Sequence, residues 1–142
     1  MAMQFIRIGG KRIHPLPLMS ILQTDGSFSR TSKQVAFILR DNTGDQIIAQ
    51  RLPAPDVKSS TEAEWMSIAA GLEAAIEQSQ ESIGIENDCL SVVSALMQQH
   101  YVPRREYQRH WHKQIRLLAA KTDWTGIRWI PRKLNLADNL FR

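Results

Sequence analysis

The sequence predicts one α/β domain built on a mixed β-sheet. Three apolar runs of β-compatible residues follow one another with short polar links, which is typical of an antiparallel meander. An amphipathic helical segment and another apolar run come next, and a strand, helix and strand in series normally form a parallel pair. With 142 residues, 43% of them hydrophobic, the chain has the size of one domain with a substantial core.

The first strand of the meander carries the first candidate functional residue. Its strands are predicted at residues 18–25, 34–40 and 46–52. The first lies between Pro17 and Gly26 and ends on Asp25. A carboxylate at the end of a buried strand is costly to desolvate unless a cation or hydrogen-bond donors meet it. We therefore expect Asp25 to have a partner.

The remaining elements alternate between helices and strands. Ser59, Ser60 and Thr61 give an N-cap signal for the first helix, in which apolar residues recur at helical spacing. The predictions are helices at residues 61–78, 90–99 and 104–120, strands at 83–88 and 126–130, and a short terminal helix at 135–142. Residues 1–17 are predicted to form an arm that leads into the domain of residues 18–142.

Acidic residues are expected to meet at one end of this sheet. If the 83–88 strand pairs with the first strand, Asp25 and Asp88 converge, and the crossover helix brings Glu64 over them. Clustered carboxylates repel one another unless protons or cations neutralise them, and oxygen-only ligands suit Mg²⁺ or Mn²⁺. Two such ions about 4 Å apart are a known clamp for displacement at a phosphodiester. A fourth acid, Asp138, lies near the carboxyl end.

Four motifs in chain order resemble the ribonuclease H type 1 family over residues 18–142. They are Thr24-Asp25-Gly26-Ser27, Ser60-Thr61-Glu62-Ala63-Glu64-Trp65 running into Ala69-Ala70-Gly71-Leu72, Glu86-Asn87-Asp88, and Ile130-Pro131-Arg132-Lys133-Leu134-Asn135-Leu136-Ala137-Asp138. The resemblance implies a five-stranded mixed sheet, with strand order 3-2-1-4-5 counted from residues 18–25 and helices on both faces. It also implies cleavage of the RNA strand of RNA–DNA hybrids that leaves a 5′-phosphate and a 3′-hydroxyl.

The resemblance also implies roles for individual residues. Asp25 would be shared between two Mg²⁺ ions, with Mn²⁺ as a possible substitute, while Glu64 and Asp88 lie beside it. Asp138 would hold the ion that activates water. The implied substrate-binding residues are Ser27, Ser60, Thr61, Asn135, Arg132, Arg105 and Arg109. Since no histidine lies between Trp129 and the carboxyl end, the chain is similar to the shorter branch of the family, which lacks the loop histidine.

Some of these residues also have plain structural interpretations. Glu64 with Thr61 fits a helix capping box, and Asp138 fits an acid in the first turn of a helix. Basic residues recur at helical spacing on the predicted third helix, where they could be a solvated face or a nucleic-acid contact; they are Arg105, Arg109, His112 and Arg116. For Glu64, the expected position close to Asp25 and Asp88 favours the interpretation as a metal ligand over the capping interpretation.

Composition limits the class of protein and leaves alternatives open. Lys and Arg outnumber Asp and Glu by 18 to 14, which favours a polyanionic partner. The single cysteine, Cys89, excludes an internal disulfide and a multi-cysteine zinc site, and no apolar run approaches a membrane span. We expect a cytoplasmic monomer with no membrane partner. The alternatives are a nuclease of the same fold that acts on branched DNA or double-stranded RNA, and a non-catalytic nucleic-acid or protein-binding module.

Overall fold

A computed structural model describes residues 4–142 of the protein and shows a mixed sheet of six strands with three α-helices. The strands are β1 (Ile6–Gly9), β2 (Ser20–Phe28), β3 (Lys33–Arg40), β4 (Gln46–Pro53), β5 (Ser82–Asn87) and β6 (Trp124–Trp129). The α-helices are α1 (Ser60–Glu77), α2 (Leu90–Met97) and α3 (Glu106–Ala120), and 3₁₀ helices follow at Arg132–Leu134 and Leu136–Phe141. The predicted terminal helix is therefore 3₁₀ rather than α-helical.

The strands lie in the order β1-β6-β5-β2-β3-β4. The predicted meander is present as the antiparallel strands β2, β3 and β4, and β5 is parallel to both β2 and β6. The predicted five-stranded sheet is wrong by one strand, because Ile6–Gly9 of the predicted arm pairs antiparallel with β6 and adds an edge strand. The first three residues of that arm lie outside the described range.

One sheet face is covered by helix α1, whose buried side includes Trp65 and Leu72. Gly71 allows this close packing, since a Cβ there would lie 2.9 Å from Cγ2 of Thr24 on β2. The hydrophobic effect at this interface, with Leu22 and Phe37 of the sheet fully buried, supplies the main core.

The 3₁₀ helix Leu136–Phe141 packs on the opposite face, against β2, β3 and β4. Gln23, which alternates with the α1-facing Leu22, accepts a 3.0 Å hydrogen bond from the backbone N–H of Leu136 through its side chain. Helical segments thus cover both faces of the sheet. Over the described range, no helix combines the length and apolar character needed to cross a bilayer.

Candidate active site

The acidic residues Asp25 and Asp88 meet where β5 ends beside β2. These strands are parallel, with Gln23 opposite Glu86, so Asp25 and Asp88 each lie two residues beyond this pair. Strand β2 continues to Phe28, so the prediction that it ends on Asp25 is wrong. Glu64 approaches from α1. One carboxylate oxygen from each of these three acids lies within 4.8 Å of the others. The structure therefore brings together three of the four acids that the sequence singles out as ligands.

Glu64 is held by backbone and side-chain donors of the sheet. Its Oε1 accepts hydrogen bonds from the N–H of Gly26 at 2.8 Å and from Nδ2 of Asn87 at 3.5 Å. A Cβ at residue 26 would lie 2.4 Å from the carbonyl carbon of Ala63, so only glycine lets this turn of α1 rest on β2. The contact sets the register of the helix against the strand that carries Asp25.

The start of α1 is capped without Glu64. The N-cap hydroxyl of Ser59 accepts a 3.0 Å hydrogen bond from the N–H of Glu62, and Glu62 Oε1 accepts one of 2.8 Å from the N–H of Lys58. This arrangement resembles a capping box, except that the glutamate accepts from the residue before the N-cap, and it lies two residues before the Thr61–Glu64 pair. The capping interpretation of Glu64 is wrong, and its carboxylate is available to the acidic cluster.

Asn87, which the sequence analysis did not select, connects the acids to the sheet. Its Nδ2 donates 3.0 Å hydrogen bonds to the carbonyl oxygen and to Oγ1 of Thr24, and its Oδ1 accepts from the N–H of Cys89. Asn87 is fully buried, and its hydrogen bonds join the residue that precedes Asp88 to the residue that precedes Asp25. Its only sequence signal was an amide at the end of a buried strand, next to a candidate ligand.

Asn135 supports the same carbonyl oxygen from the opposite side of the sheet edge. Its Nδ2 lies 2.9 Å from the oxygen of Thr24 and 3.3 Å from Oδ2 of Asp88, while its Oδ1 accepts from the N–H of Ala137. The side chain is used within the protein, and the residue is 2% exposed. The contact of Asn135 with a substrate stays a prediction, and in the structure its amide hydrogen-bonds groups of the protein, among them Asp88.

Asp138 lies on the second 3₁₀ helix and is held by two arginines. Its Oδ2 lies 2.8 Å from Nη2 of Arg142, and its Oδ1 lies 3.5 Å from Nη2 of Arg132. Asp138 lines the same cavity as the other three acids, and its side chain hydrogen-bonds that of Asp25. All four predicted acids are therefore neighbours, with the fourth already paired with basic side chains.

Burial and mutual repulsion raise the pKa values of Asp25, Glu64 and Asp88. Desolvation, followed by the charges of Glu64 and Asp88, raises the pKa of Asp25 to about 9. Desolvation and the charge of Asp88 raise the pKa of Glu64 to about 7. Burial also raises the pKa of Asp88, although Asn135 and Arg132 oppose that shift. A positive ion among these oxygens would remove the cause of the repulsion.

The acids line an open cavity of about 380 Å³. Of the predicted substrate-binding residues, Ser27, Ser60 and Arg132 line this cavity. Thr61 lies beside it in the first turn of α1 and is half-buried, whereas Arg105 and Arg109 lie away from it at the start of α3 and are exposed.

The basic stripe expected on α3 is not a continuous surface. Arg116 turns inward and donates to the carbonyl oxygens of Ile8 and Leu96 at 2.8 and 2.7 Å. The ring of His112 packs edge-on against Trp65, with 6.1 Å between the ring centroids. The interpretation of four residues as one solvated or binding face is therefore wrong, because two of them serve packing and helix-end contacts.

The donor set fits a hard divalent cation. It consists of carboxylate oxygens from Asp25, Glu64 and Asp88, with the oxygens of Asp138 adjacent and no nitrogen or sulfur ligand. Mg²⁺ and Mn²⁺ prefer such ligands, whereas zinc sites are usually built from cysteine and histidine. A bound cation would also oppose the repulsion from neighbouring carboxylates that contributes to the raised pKa values of Asp25 and Glu64.

Comparison with known proteins identifies a family and several structural relatives. The family described as "Reverse transcriptase-like" matches residues 23–140. An RNase H1 from the halophilic archaeon Halobacterium salinarum superposes with a TM-score of 0.76 at 22% identity, over 86% of this chain and 93% of that one. A search of curated protein sequences finds no match.

Two further solved structures have the same architecture. The N-terminal RNase H domain of a Mycobacterium tuberculosis protein gives a TM-score of 0.75 at 17% identity, over 87% of this chain and 90% of that chain. An RNase H1 isolated from compost, solved in complex with an RNA/DNA hybrid, gives a TM-score of 0.68 at 15% identity, over 85% of this chain and 92% of that chain. At these identities the likeness establishes the shared fold.

Proposed function

The chain belongs to the reverse transcriptase-like family, and on this premise we propose that it is a ribonuclease H, which hydrolyses the RNA strand of RNA–DNA hybrids with two Mg²⁺ ions. The observation that carries the proposal is the cluster of three carboxylate oxygens from β2, α1 and the end of β5, all within 4.8 Å of one another. A binding module gains nothing from clustered like charges, whereas a nuclease needs them to hold cations. The RNA/DNA hybrid bound to one structural relative supports the choice of substrate.

The reaction is the addition of one water molecule across a phosphodiester bond. The water oxygen bonds to phosphorus, the bond from phosphorus to the 3′-oxygen breaks, and that oxygen leaves with a proton as a 3′-hydroxyl. The other product ends in a 5′-phosphate. Bound divalent ions would supply Lewis-acid stabilisation of the phosphate charge and a lower pKa for the attacking water.

The protein residues hold this chemistry in place. Asp25, Glu64 and Asp88 would bind the ions, with Asp138 completing the set. Ser27 and Ser60 face the cavity, where their hydroxyls are available for the sugar-phosphate backbone and for the 2′-hydroxyl that distinguishes RNA from DNA. Arg105 and Arg109 are exposed at the start of α3 and would add phosphate contacts farther along a hybrid.

The test is an assay of the purified protein on end-labelled substrates. RNA–DNA hybrid, duplex RNA, duplex DNA and branched DNA are incubated with Mg²⁺, with Mn²⁺ or with a chelator, and Asp25→Asn is the matched inactive control. We expect metal-dependent cleavage of the hybrid alone, with 5′-phosphate ends. Preferential cleavage of another substrate would change the substrate class, and tight binding without cleavage in any metal would make the protein a binding module.

A further inference from the structure

Asp138 differs from the other acids because both of its oxygens already face cations. Arg142 Nη2 lies 2.8 Å from one oxygen, and Arg132 Nη2 lies 3.5 Å from the other. The Asp138 side chain is 12% exposed, but those of Arg132 and Arg142 are 75% and 70% exposed. Two largely exposed guanidiniums therefore pair with a nearly buried carboxylate.

Both arginines belong to the wall of the acidic cavity. They line it together with Asp25, Glu64 and Asp88. A divalent ion bound by Asp138 would place two positive charges a few ångströms from these guanidiniums, where like charges repel. The ion and the arginines are therefore expected to compete for the same carboxylate.

We propose that Arg132 and Arg142 are exchangeable counter-cations of Asp138. They neutralise Asp138 until a divalent ion binds to it, and once the ion has displaced them, the two arginines bind a phosphate of the nucleic acid. This inference deepens the proposed function and rests on it for the identity of the polyanion. The exchange makes nucleic-acid binding by these two side chains conditional on the loading of the metal site.

Exposure and chemistry both favour such an exchange. Ion pairs with largely exposed partners are weak, so a divalent ion can displace them. The planar guanidinium then finds an equally suitable partner in phosphate, to which it can donate two parallel hydrogen bonds. Arg132 also favours the charged form of Asp88, so displacement of Arg132 would change the electrostatic environment of Asp88 as well as that of Asp138.

The first measurement follows the metal alone. Thermal unfolding is recorded during titration with Mg²⁺ for the wild type, Arg142→Gln and Arg132→Gln, with Arg12→Gln on the exposed arm as a charge-matched control. Removal of a competing cation should lower the Mg²⁺ concentration at half-maximal stabilisation by about two- to fivefold. Arg12→Gln should leave it close to the wild-type value. An unchanged or higher midpoint in both cavity variants would overturn the exchange.

The second measurement follows a labelled RNA–DNA hybrid by fluorescence anisotropy, with Ca²⁺ in place of Mg²⁺ and electrophoresis to check that the hybrid stays intact. Arg142→Gln should weaken binding severalfold in Ca²⁺ and leave it nearly unchanged in a chelator, since Asp138 holds the guanidinium there. Equal weakening under both conditions would show a permanent phosphate contact and overturn the proposal. If the wild type neither bound nor cleaved the hybrid, the proposed function would fail, while the Mg²⁺ titration would still report the competition at Asp138.

Discussion

Glu64 on α1 accepts a 2.8 Å hydrogen bond from the backbone N–H of Gly26, the residue that follows Asp25 on β2. A backbone donor cannot change rotamer, so the position of this carboxylate is set by the packing of the helix on the strand. The same contact requires glycine at residue 26, because any Cβ would meet the backbone of Ala63. Fold and candidate site therefore share one close contact, and we expect changes there to affect both.

Asp25→Asn should abolish cleavage and stabilise the metal-free protein. The amide keeps the shape of the side chain and removes the cost of holding the Asp25 carboxyl protonated in the folded protein, since its pKa of about 9 lies far above the ordinary value of 3.8. Loss of a proposed metal ligand should reduce the cleavage rate by more than about 10³-fold. In a chelator at pH 8, the free energy of unfolding should rise by about 1–2 kcal/mol. Denaturant unfolding checks this, with the exposed Asp56→Asn as the control. Wild-type activity in Asp25→Asn would remove the mechanism.

Without metal, stability should decrease as pH rises. The folded protein holds a proton on Glu64 up to a pKa of about 7, whereas the ordinary value is 4.5, so it binds more protons than the unfolded chain between these pH values. This contribution is complete below about pH 4.5 and is lost as pH rises through 7, with a slope of up to about 1.4 kcal/mol per pH unit. Urea unfolding in a chelator measures it, and Glu64→Gln should flatten this part of the profile. If stability depended on pH in the same way in the wild type and in Glu64→Gln, Glu64 would not be the group responsible for the change.

Glu62 and Glu64 are two residues apart on α1 and should respond differently to the same substitution. Glu64→Gln removes a predicted ligand, so stabilisation by Mg²⁺ should fall by most of its wild-type size. Glu62→Gln affects the cap of α1 and the 3.3 Å hydrogen bond that Nε1 of Trp111 donates to Glu62, so it should lower stability by up to about 1 kcal/mol, with the response to Mg²⁺ unchanged. Melting curves with and without Mg²⁺ distinguish the two variants. Equal loss of the Mg²⁺ response in both would place the metal elsewhere.

Asn135→Ala should lower stability and disturb Asp88. The change leaves the carbonyl oxygen of Thr24 and Oδ2 of Asp88 without one donor each in a buried region. Such losses cost about 1–3 kcal/mol. The control is Asn139→Ala, at an exposed position of the 3₁₀ helix that Asn135 caps, and it should change stability by less than about 0.5 kcal/mol. Chemical unfolding measures the free energy of unfolding of both variants. If Asn135→Ala were as stable as the wild type, the amide would have no positioning role.

Arg105 and Arg109 provide a test of hybrid binding outside the cavity. The double change to alanine should weaken affinity for the hybrid and reduce the slope of log K against log salt by about one for each lost phosphate contact. Both side chains are exposed on α3, so folding should be unaffected. Fluorescence anisotropy across a salt series measures the slope. Affinity equal to the wild type at low salt would show that this part of α3 is ordinary solvated surface.

The sequence predicted the meander, the crossover and the meeting of Asp25 with Asp88 because those features follow from periodicity and strand connectivity. The resemblance to ribonuclease H type 1 is confirmed by the family match and the shared fold. Strand β1 was missed because four residues with a register shift between Arg7 and Gly9 give too little alternation to distinguish a strand from an arm.

Side-chain direction was the part that the sequence could not provide. Arg116 has the spacing of a surface residue, yet it turns toward carbonyl oxygens left free at the end of α2 and on β1. Asn87 and Asn135 are polar residues whose roles depend on one carbonyl, that of Thr24, distant from both along the chain. Helical spacing and motif order do not contain this tertiary information.

The pairing of β1 with β6 has a consequence for how the protein is made. Ile6 lies opposite Ile127, so two segments far apart along the chain must come together before the sheet has its final edge. Pairings with such large separation along the chain raise the contact order and slow folding. During synthesis, the β1 segment is made before β6, so its backbone lacks this partner strand and is open to association with other chains until β6 has been synthesised.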